Sequence, residues 1–245
     1  MQLWTRTAIV VALATIIAQA ASAQARRFAI KIVDGQLAAQ GYIGGPNPMD
    51  DGLGLVRPYY NSLHDHWANG ETRSASAGLP GFDLFDPGDL VGHALTITLT
   101  GASKWVAPPA NPAPGTIPDL VALGPTEEIF VSRVGVQHST NSPGSFTLAE
   151  SIGAGGAAGL DLIFATALQP TDTIYILDFT LSTDAPGVAA SEPIHVILSP
   201  DGLTKLQRLH FASLYLEQYL GTPIPAPGGV GLLVGAGLVA ARRRR

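Results

Sequence analysis

The stretch ALTITLT, residues 94–100, decides the fold class of this chain. From residue 95 onward, leucine or isoleucine stands at every second position and threonine stands at each position between. A period of two places the aliphatic side chains on one face of an extended strand and the hydroxyls on the other. The stretch therefore predicts a β-strand with one face in an apolar core.

Further strand patterns lie on both sides of this stretch, and glycine and proline clusters separate nearly all of them. Residues 173–181 are apolar on both faces, as expected of a central strand in a two-layer structure. The other predicted strands are residues 27–33, 128–136, 145–150, 160–168 and 193–199. Several short strands with such turns predict a mainly β fold, an antiparallel sandwich or a barrel-like domain, and the pattern favours a β-sandwich over residues 24–200.

One helix is predicted after the last strand, at residues 201–221. Asp201 is a suitable N-cap, a leucine stripe follows at helical spacing, and Gly221 fits the position just past the helix end. A terminal strand over residues 209–216 is the alternative. In either case the segment would link the sandwich to the C-terminal tail.

The composition limits the classes of partner. The 245 residues contain no cysteine, so an oxidising destination would bring no disulfide support. Of 14 basic residues, one lies in the first 23 residues and four at the C-terminus, which leaves nine in the body against 19 acidic residues. An acidic body argues against nucleic acid, because phosphate contacts require a basic face.

The first 23 residues have the pattern of a secretory signal peptide. Arg6 supplies the positive charge, residues 8–18 form an apolar core, and small residues occupy the cleavage positions Ala21 and Ala23. Gln24 would be the first residue of the mature chain. The sequence therefore predicts export through the Sec translocon.

The last 23 residues read PIPAPGGVGLLVGAGLVAARRRR, residues 223–245. A short proline motif precedes an uncharged apolar run at 228–241, and the chain then ends on arginines that do not cross hydrocarbon readily. The motif residues are Pro225, Ala226, Pro227 and Gly228, and the basic end consists of Arg242, Arg243, Arg244 and Arg245.

This arrangement resembles the PEP-CTERM sorting signal of bacterial exported proteins, with alanine in place of the central glutamate. The resemblance implies a tail, residues 222–245, that enters the inner membrane transiently and is processed by an exosortase-like enzyme. It also implies a final location at the cell surface or outside the cell, near extracellular polysaccharide. A permanent membrane anchor is the alternative, although the apolar run is short for the hydrocarbon core and rich in glycine.

A long interval between residues 44 and 90 holds an aromatic and histidine cluster. His64 and His66 would project from one face of a strand and could share a metal ion. Tyr59, Tyr60 and Trp67 could form a platform for a sugar ring. The alternative is a solvated or packed aromatic loop without a ligand.

Three aspartates at a spacing of three, Asp83, Asp86 and Asp89, form a weaker candidate. Oxygen-rich turns with glycine hold calcium in some proteins, but this spacing is not that of an EF-hand. The neighbouring proline and glycine already account for a tight turn. A calcium site and an unliganded tight turn are thus the two hypotheses for these residues, and the sequence predicts no other cofactor.

Recognised catalytic motifs are missing from the sequence, including the serine elbow, the zinc-protease helix and any cysteine nucleophile. The main hypothesis is accordingly a non-enzymatic exported protein of the surface or extracellular matrix, with a structural or adhesive body. An extracellular carbohydrate-binding module is the first alternative, and a secreted hydrolase is the second.

Overall fold

The computed structural model describes residues 25–44, 55–56, 61–69, 75–77, 80–167, 172–200 and 203–221. The predicted signal peptide and sorting tail lie outside these residues. Within them, no helical segment combines the length and the apolar character that crossing a bilayer requires.

The predicted mainly β fold with one helix near the C-terminus is confirmed. The helix is α1 (Leu203–Leu220), so the alternative of a terminal strand is wrong. The described residues form fourteen strands: β1 (Ala25–Val33), β2 (Gln36–Gly44), β3 (Leu55–Val56), β4 (Ser62–Asn69), β5 (Ala75–Ala77), β6 (Gly81–Asp83), β7 (Leu95–Val106), β8 (Leu120–Ala122), β9 (Ile129–Arg133), β10 (Val136–Ser139), β11 (Ser145–Ala149), β12 (Ile163–Thr166), β13 (Thr173–Thr183) and β14 (Ile194–Pro200).

These strands form two sheets within the described residues. The smaller sheet has the order β3-β2-β1-β6, and the larger has the order β10-β9-β12-β5-β4-β14-β13-β7-β11, with β8 added beside β7. Most neighbours are antiparallel, as predicted, but β1 with β6 and β14 with β4 are parallel. Long connections bring these strand pairs together, and the period of the side chains alone does not fix the direction of such neighbours.

The hairpin β1–β2 places the smaller sheet against the larger one. Asp34 and Gly35 form its two-residue turn with φ values of 52° and 78°, which suits the right-handed twist of the two strands. Gly41 of β2 lies so close to Leu63 of β4 that an added Cβ would approach its side chain to 2.7 Å. The absence of a side chain there lets the two sheets approach each other.

One apolar core fills the space between the sheets. Phe28 stacks on Phe82 within the smaller sheet, with ring centroids 5.2 Å apart, and Phe164 meets Phe179 in the larger. The stretch ALTITLT, residues 94–100, supplies three buried side chains to this core, Leu95, Ile97 and Leu99, as predicted.

A second apolar cluster lies on the outer face of the larger sheet, under α1. The helix contributes its inner stripe, Leu209, Ala212 and Leu216. The sheet contributes Trp105 of β7, Ile174 and Ile176 of β13 and Ile197 of β14. We call this part of the outer face the covered half. The helix thus packs directly on the sheet of the domain that it follows.

Two predicted strands differ from the observed ones. Residues 128–136 are not one strand, because the chain reverses at Val134 and Gly135, whose φ values are 38° and 79°. The apolar alternation continues through this turn, and so the pattern concealed it. The strand predicted over residues 160–168 is shorter, and within the described residues it includes only Ile163–Thr166.

Candidate binding face

The aromatic candidates are only partly within the described residues. Tyr59 and Tyr60 lie outside them. His66 and Trp67 lie in β4, but their side chains are not described. The sugar platform predicted from Tyr59, Tyr60 and Trp67 therefore stays a prediction.

His64 occupies a buried position on the outer side of β4, beneath α1. Its side chain is 2% exposed, and its Nδ1 lies 2.6 Å from Oε2 of Glu217, whose side chain is fully buried. The hydroxyl of Ser62 donates to the backbone carbonyl of Glu217, and the ring of His210 lies edge-on to His64 with centroids 5.5 Å apart. These contacts attach the helix to the sheet and occupy Nδ1 of His64. The metal site predicted from His64 and His66 stays a prediction, because the side chain of His66 is not described.

Sequence reasoning missed Glu217, because it stands 153 positions from His64 and looks like one more helix residue. The same interface holds Ser213, whose Oγ is the buried side-chain polar atom without a hydrogen-bond partner among the described residues. A buried hydroxyl without a hydrogen-bond partner costs free energy, so Ser213 weakens this interface.

Asp83 is buried, whereas the other two predicted calcium ligands are exposed. Its carboxylate is paired with Arg27, which also donates to Asp161 at 2.7 Å, and it accepts the amide N–H of Gly159 at 2.7 Å. Although burial opposes the charged form of Arg27, hydrogen bonds to Asp83 and Asp161 raise the pKa of its guanidinium above the ordinary value.

Asp86 and Asp89 are exposed and line one open groove of about 550 Å³ together with Lys31. The structure therefore does not bring the three aspartates together. Among the described residues, no group of three or more histidines and carboxylates is arranged to hold a metal ion. Calcium at Asp83, Asp86 and Asp89 gains no support from this geometry.

Beyond the covered half, the outer face of the larger sheet carries a regular array of hydroxyls. Thr98 of β7 pairs with Ser145 of β11 on one side and with Thr180 of β13 on the other. Two residues along, Thr96 pairs in the same way with two further hydroxyl residues of these strands. We call this array the hydroxyl face, and its members are Thr96, Thr98, Ser145, Thr147, Thr180 and Ser182.

The hydroxyl face is open to solvent and has regular spacing. Ser145 and Thr147 are exposed, and the other four residues are partly exposed. The residues of the array are therefore spaced about 4.8 Å apart across neighbouring strands and about 6.7 Å apart along one strand. The hydroxyls of Thr98 and Ser145 are 2.8 Å apart and bond to each other, which fixes their orientation.

The surroundings of the hydroxyl face differ at its two sides. Toward α1 it meets the pair Asp178 and His195, whose Oδ1 and Nδ1 are 2.7 Å apart. On the other side, β11 borders a hollow of about 360 Å³ whose walls include the turn between β9 and β10. Arg133 bridges this border, donating to the carbonyls of Thr147 at 3.2 Å and Leu148 at 2.7 Å.

Comparison with protein-family models, with curated proteins and with solved structures found no match to this chain.

Proposed function

We propose that this chain is an exported bacterial protein of the cell surface or extracellular matrix, whose β-sandwich body is adhesive and binds neutral polysaccharide. The secretory pattern at the N-terminus and the PEP-CTERM-like tail support export, processing by an exosortase-like enzyme and a transient stay in the inner membrane. Two sheets that share one core support the sandwich architecture.

The hydroxyl face is the observation that carries the adhesive part of this proposal. A hydroxyl both donates and accepts hydrogen bonds, and so do the hydroxyls of a sugar. Each such bond contributes only about 1 kcal/mol net, because water is displaced from both partners. A regular array engages several sugar units of one polymer at once, and the linked contacts then add to a useful avidity.

Charge favours a neutral polymer over an acidic one. The six residues of the hydroxyl face have no charged side chain, and the body around it has nine basic residues against 19 acidic ones. A polymer of uronic acids would be repelled by this surface, whereas a neutral glucan would not.

The binding test compares purified protein on a soluble neutral β-glucan and on a polyuronate. The triple variant Thr98→Val, Thr147→Val and Ser182→Ala removes three hydroxyls while keeping similar shapes. We expect the protein to bind the glucan and the triple variant to lose at least about tenfold in affinity, as expected for the loss of several hydrogen bonds. The matched control is Thr126→Val, in an exposed turn away from this face.

Three results would count against the adhesive proposal: equal affinity in the triple variant, preference for the polyuronate, or no binding at all. Loss of binding in Trp67→Ala with full binding in the triple variant would instead move the site to the aromatic platform and favour a conventional carbohydrate-binding module.

The export test follows the full chain in a bacterium that makes an exosortase. We expect a membrane-bound precursor and a shorter extracellular form. Replacing Arg242, Arg243, Arg244 and Arg245 with serine should reduce retention, because each arginine costs about 2.5–3.5 kcal/mol to insert at the centre of a bilayer and serine costs far less. Accumulation of the full chain in the cytoplasm would overturn the export proposal.

A further inference from the structure

The helix α1 carries a second, largely apolar stripe outside the one that packs on the sheet, and at its border Tyr215 also packs against the second apolar cluster. Its inner stripe packs on β14 and β4. The outer stripe repeats the spacing of three and four residues that is typical of a contact face. It consists of Phe211, Leu214, Tyr215, Gln218 and Tyr219, and we call it the aromatic stripe.

The aromatic stripe is exposed in spite of its composition. Phe211 is 55% exposed and Tyr219 is 49% exposed, while Leu214 and Tyr215 are partly exposed. The rings of Tyr215 and Tyr219 lie nearly parallel, with centroids 6.5 Å apart, and the hydroxyl of Tyr215 donates to the carbonyl of Thr116 at 2.6 Å. These contacts hold the rings in place before any partner arrives.

The segment that carries the aromatic stripe, residues 209–221, has no exposed charged side chain. Among residues 209–221, whose side chains are described, Glu217 is the one charged residue, and it is buried. Tyrosine has an apolar ring and a polar tip, and it is enriched where hydrocarbon meets water at a membrane surface. A helix that lies in this zone buries its apolar face among headgroups and acyl chains.

The position of the stripe in the chain brings it close to a membrane. The described helix ends at Leu220, and the apolar run of the tail begins at Gly228, seven residues after Gly221. Seven extended residues span at most about 25 Å. If the tail enters the bilayer, the end of the helix beside Tyr219 therefore stays within about that distance of its surface, and Phe211 lies about 12 Å further along the helix.

We propose that the aromatic stripe docks on the interface of a zwitterionic phospholipid membrane while the tail is inserted. This inference rests on the proposed function, since the tail must first reach the membrane. The acidic body argues against anionic lipid as the main attraction. Docking fixes the orientation of the domain above the membrane, so that the tail motif is presented in one position.

The experiment uses the full chain in vesicles of phosphatidylcholine and phosphatidylethanolamine. The chain has no cysteine, so Phe211→Cys or Tyr219→Cys gives a single site for a fluorescent label. Vesicles with a nitroxide on the lipid then quench labels that lie near the surface. The matched control is Ala190→Cys, an exposed residue beyond the far end of β13, roughly 25 Å along the sheet from the covered half.

We expect the labels at 211 and 219 to be quenched several-fold more than the label at 190, with a blue shift of their emission. Equal and weak quenching of all three labels on vesicles that carry the chain would overturn the docking and leave the proposed function standing. A chain that does not float with the vesicles would overturn both.

Two other occupants of the aromatic stripe give distinct results, and each would overturn the docking. A second copy of the chain would produce energy transfer between differently labelled chains at the same strength with and without vesicles. The chain's own tail would shift the emission of label 211 in plain buffer, and the shift would vanish in a chain that ends at Gly221.

Discussion

The covered half and the hydroxyl face are two parts of one sheet surface, and the strands β7 and β13 run through both. Along the outer side of β13 the residues are Ile174 and Ile176 under the helix, and then Thr180 and Ser182 in the open. Strand β7 makes the same change, from Trp105 to threonine. The pairing of β13 with β7 shifts at a β-bulge between the two parts, at Asp178 and Phe179, and the outward side chains change from apolar to hydroxyl across it. The helix covers the apolar part, because burial there removes apolar surface from water.

The largest expected effect lies in the buried pair that holds the helix on the covered half. Glu217→Leu leaves His64 without this partner in a buried position, and we expect a loss of about 3–5 kcal/mol in the free energy of unfolding. The double variant His64→Leu with Glu217→Leu should recover most of it, because two apolar side chains replace both polar groups. Urea unfolding measures the stability of the single and the double variant, and Gln218→Leu is the control at an exposed neighbouring position. Equal stability of Glu217→Leu and the control would show that the pair does not hold the helix.

A reciprocal exchange on β13 tests the two parts directly. Ile176→Thr places a hydroxyl under the helix and removes apolar volume, so a loss of about 2–4 kcal/mol is expected. Thr180→Ile makes the opposite change on the hydroxyl face and should stay within about 0.5 kcal/mol. Thermal and urea unfolding of the two variants give the comparison. Equal losses would mean that the hydroxyl face is covered as well.

A smaller effect is expected where the hydroxyl face ends, at Arg133. Its guanidinium donates to three carbonyls, those of Thr147, Leu148 and Asp161. Arg133→Ala removes these bonds from a partly exposed position, and we expect a loss of about 1–2 kcal/mol together with faster amide exchange in β11. Arg133→Lys keeps the charge but not the planar guanidinium, so its stability should lie between that of the unchanged protein and that of Arg133→Ala. Unchanged exchange in β11 would contradict this role.

The smallest expected effect is the pH dependence of stability at Glu127, which pairs with Lys104 and belongs to neither the covered half nor the hydroxyl face. Burial raises the pKa of this carboxylate, but Lys104 and the amide of Gly124 outweigh burial and lower it below the ordinary 4.5. A lowered folded pKa gives stability that is complete above the unfolded pKa and lost as the pH falls through the folded one. Acidification below 4.5 should therefore cost less than about 1 kcal/mol at this site, and Glu127→Gln should remove that part of the pH dependence. Burial, and after it the charge of the same carboxylate, raise the pKa of the Tyr175 hydroxyl to about 12.

Much of the fold could be predicted because the strands have a buried face. The alternation in residues 94–100 and the all-apolar run at 173–181 correspond to β7 and β13, two adjacent strands of the larger sheet. The turn at Val134 and Gly135 could not be predicted from the alternation, because valine is a strand residue that here adopts a positive φ. The parallel partners β6 and β4 could not be predicted either, since neighbour choice depends on long connections.

The candidate sites also have a part that the sequence predicted and a part that only the structure shows. The sequence placed His64 on one face of a strand, but only the structure shows that Glu217 meets it. It also placed threonines on the outer side of β7, and the structure adds the matching hydroxyls of β11 and β13. The aspartate cluster shows the opposite outcome, because Asp83 is paired with an arginine 56 residues away.

By itself, the sequence determined the class of the fold, the outward threonines of β7 and the acidity of the body, and it favoured a helix over a strand at the end of the domain. Each of these depends on local periodicity or on composition, which a single chain displays without its neighbours. Only the tertiary structure decided which strands lie side by side, which half of the sheet the helix covers, and which polar groups pair in the interior. Those outcomes are set by contacts between residues far apart in the chain, whose free energies depend on the joint burial of both partners.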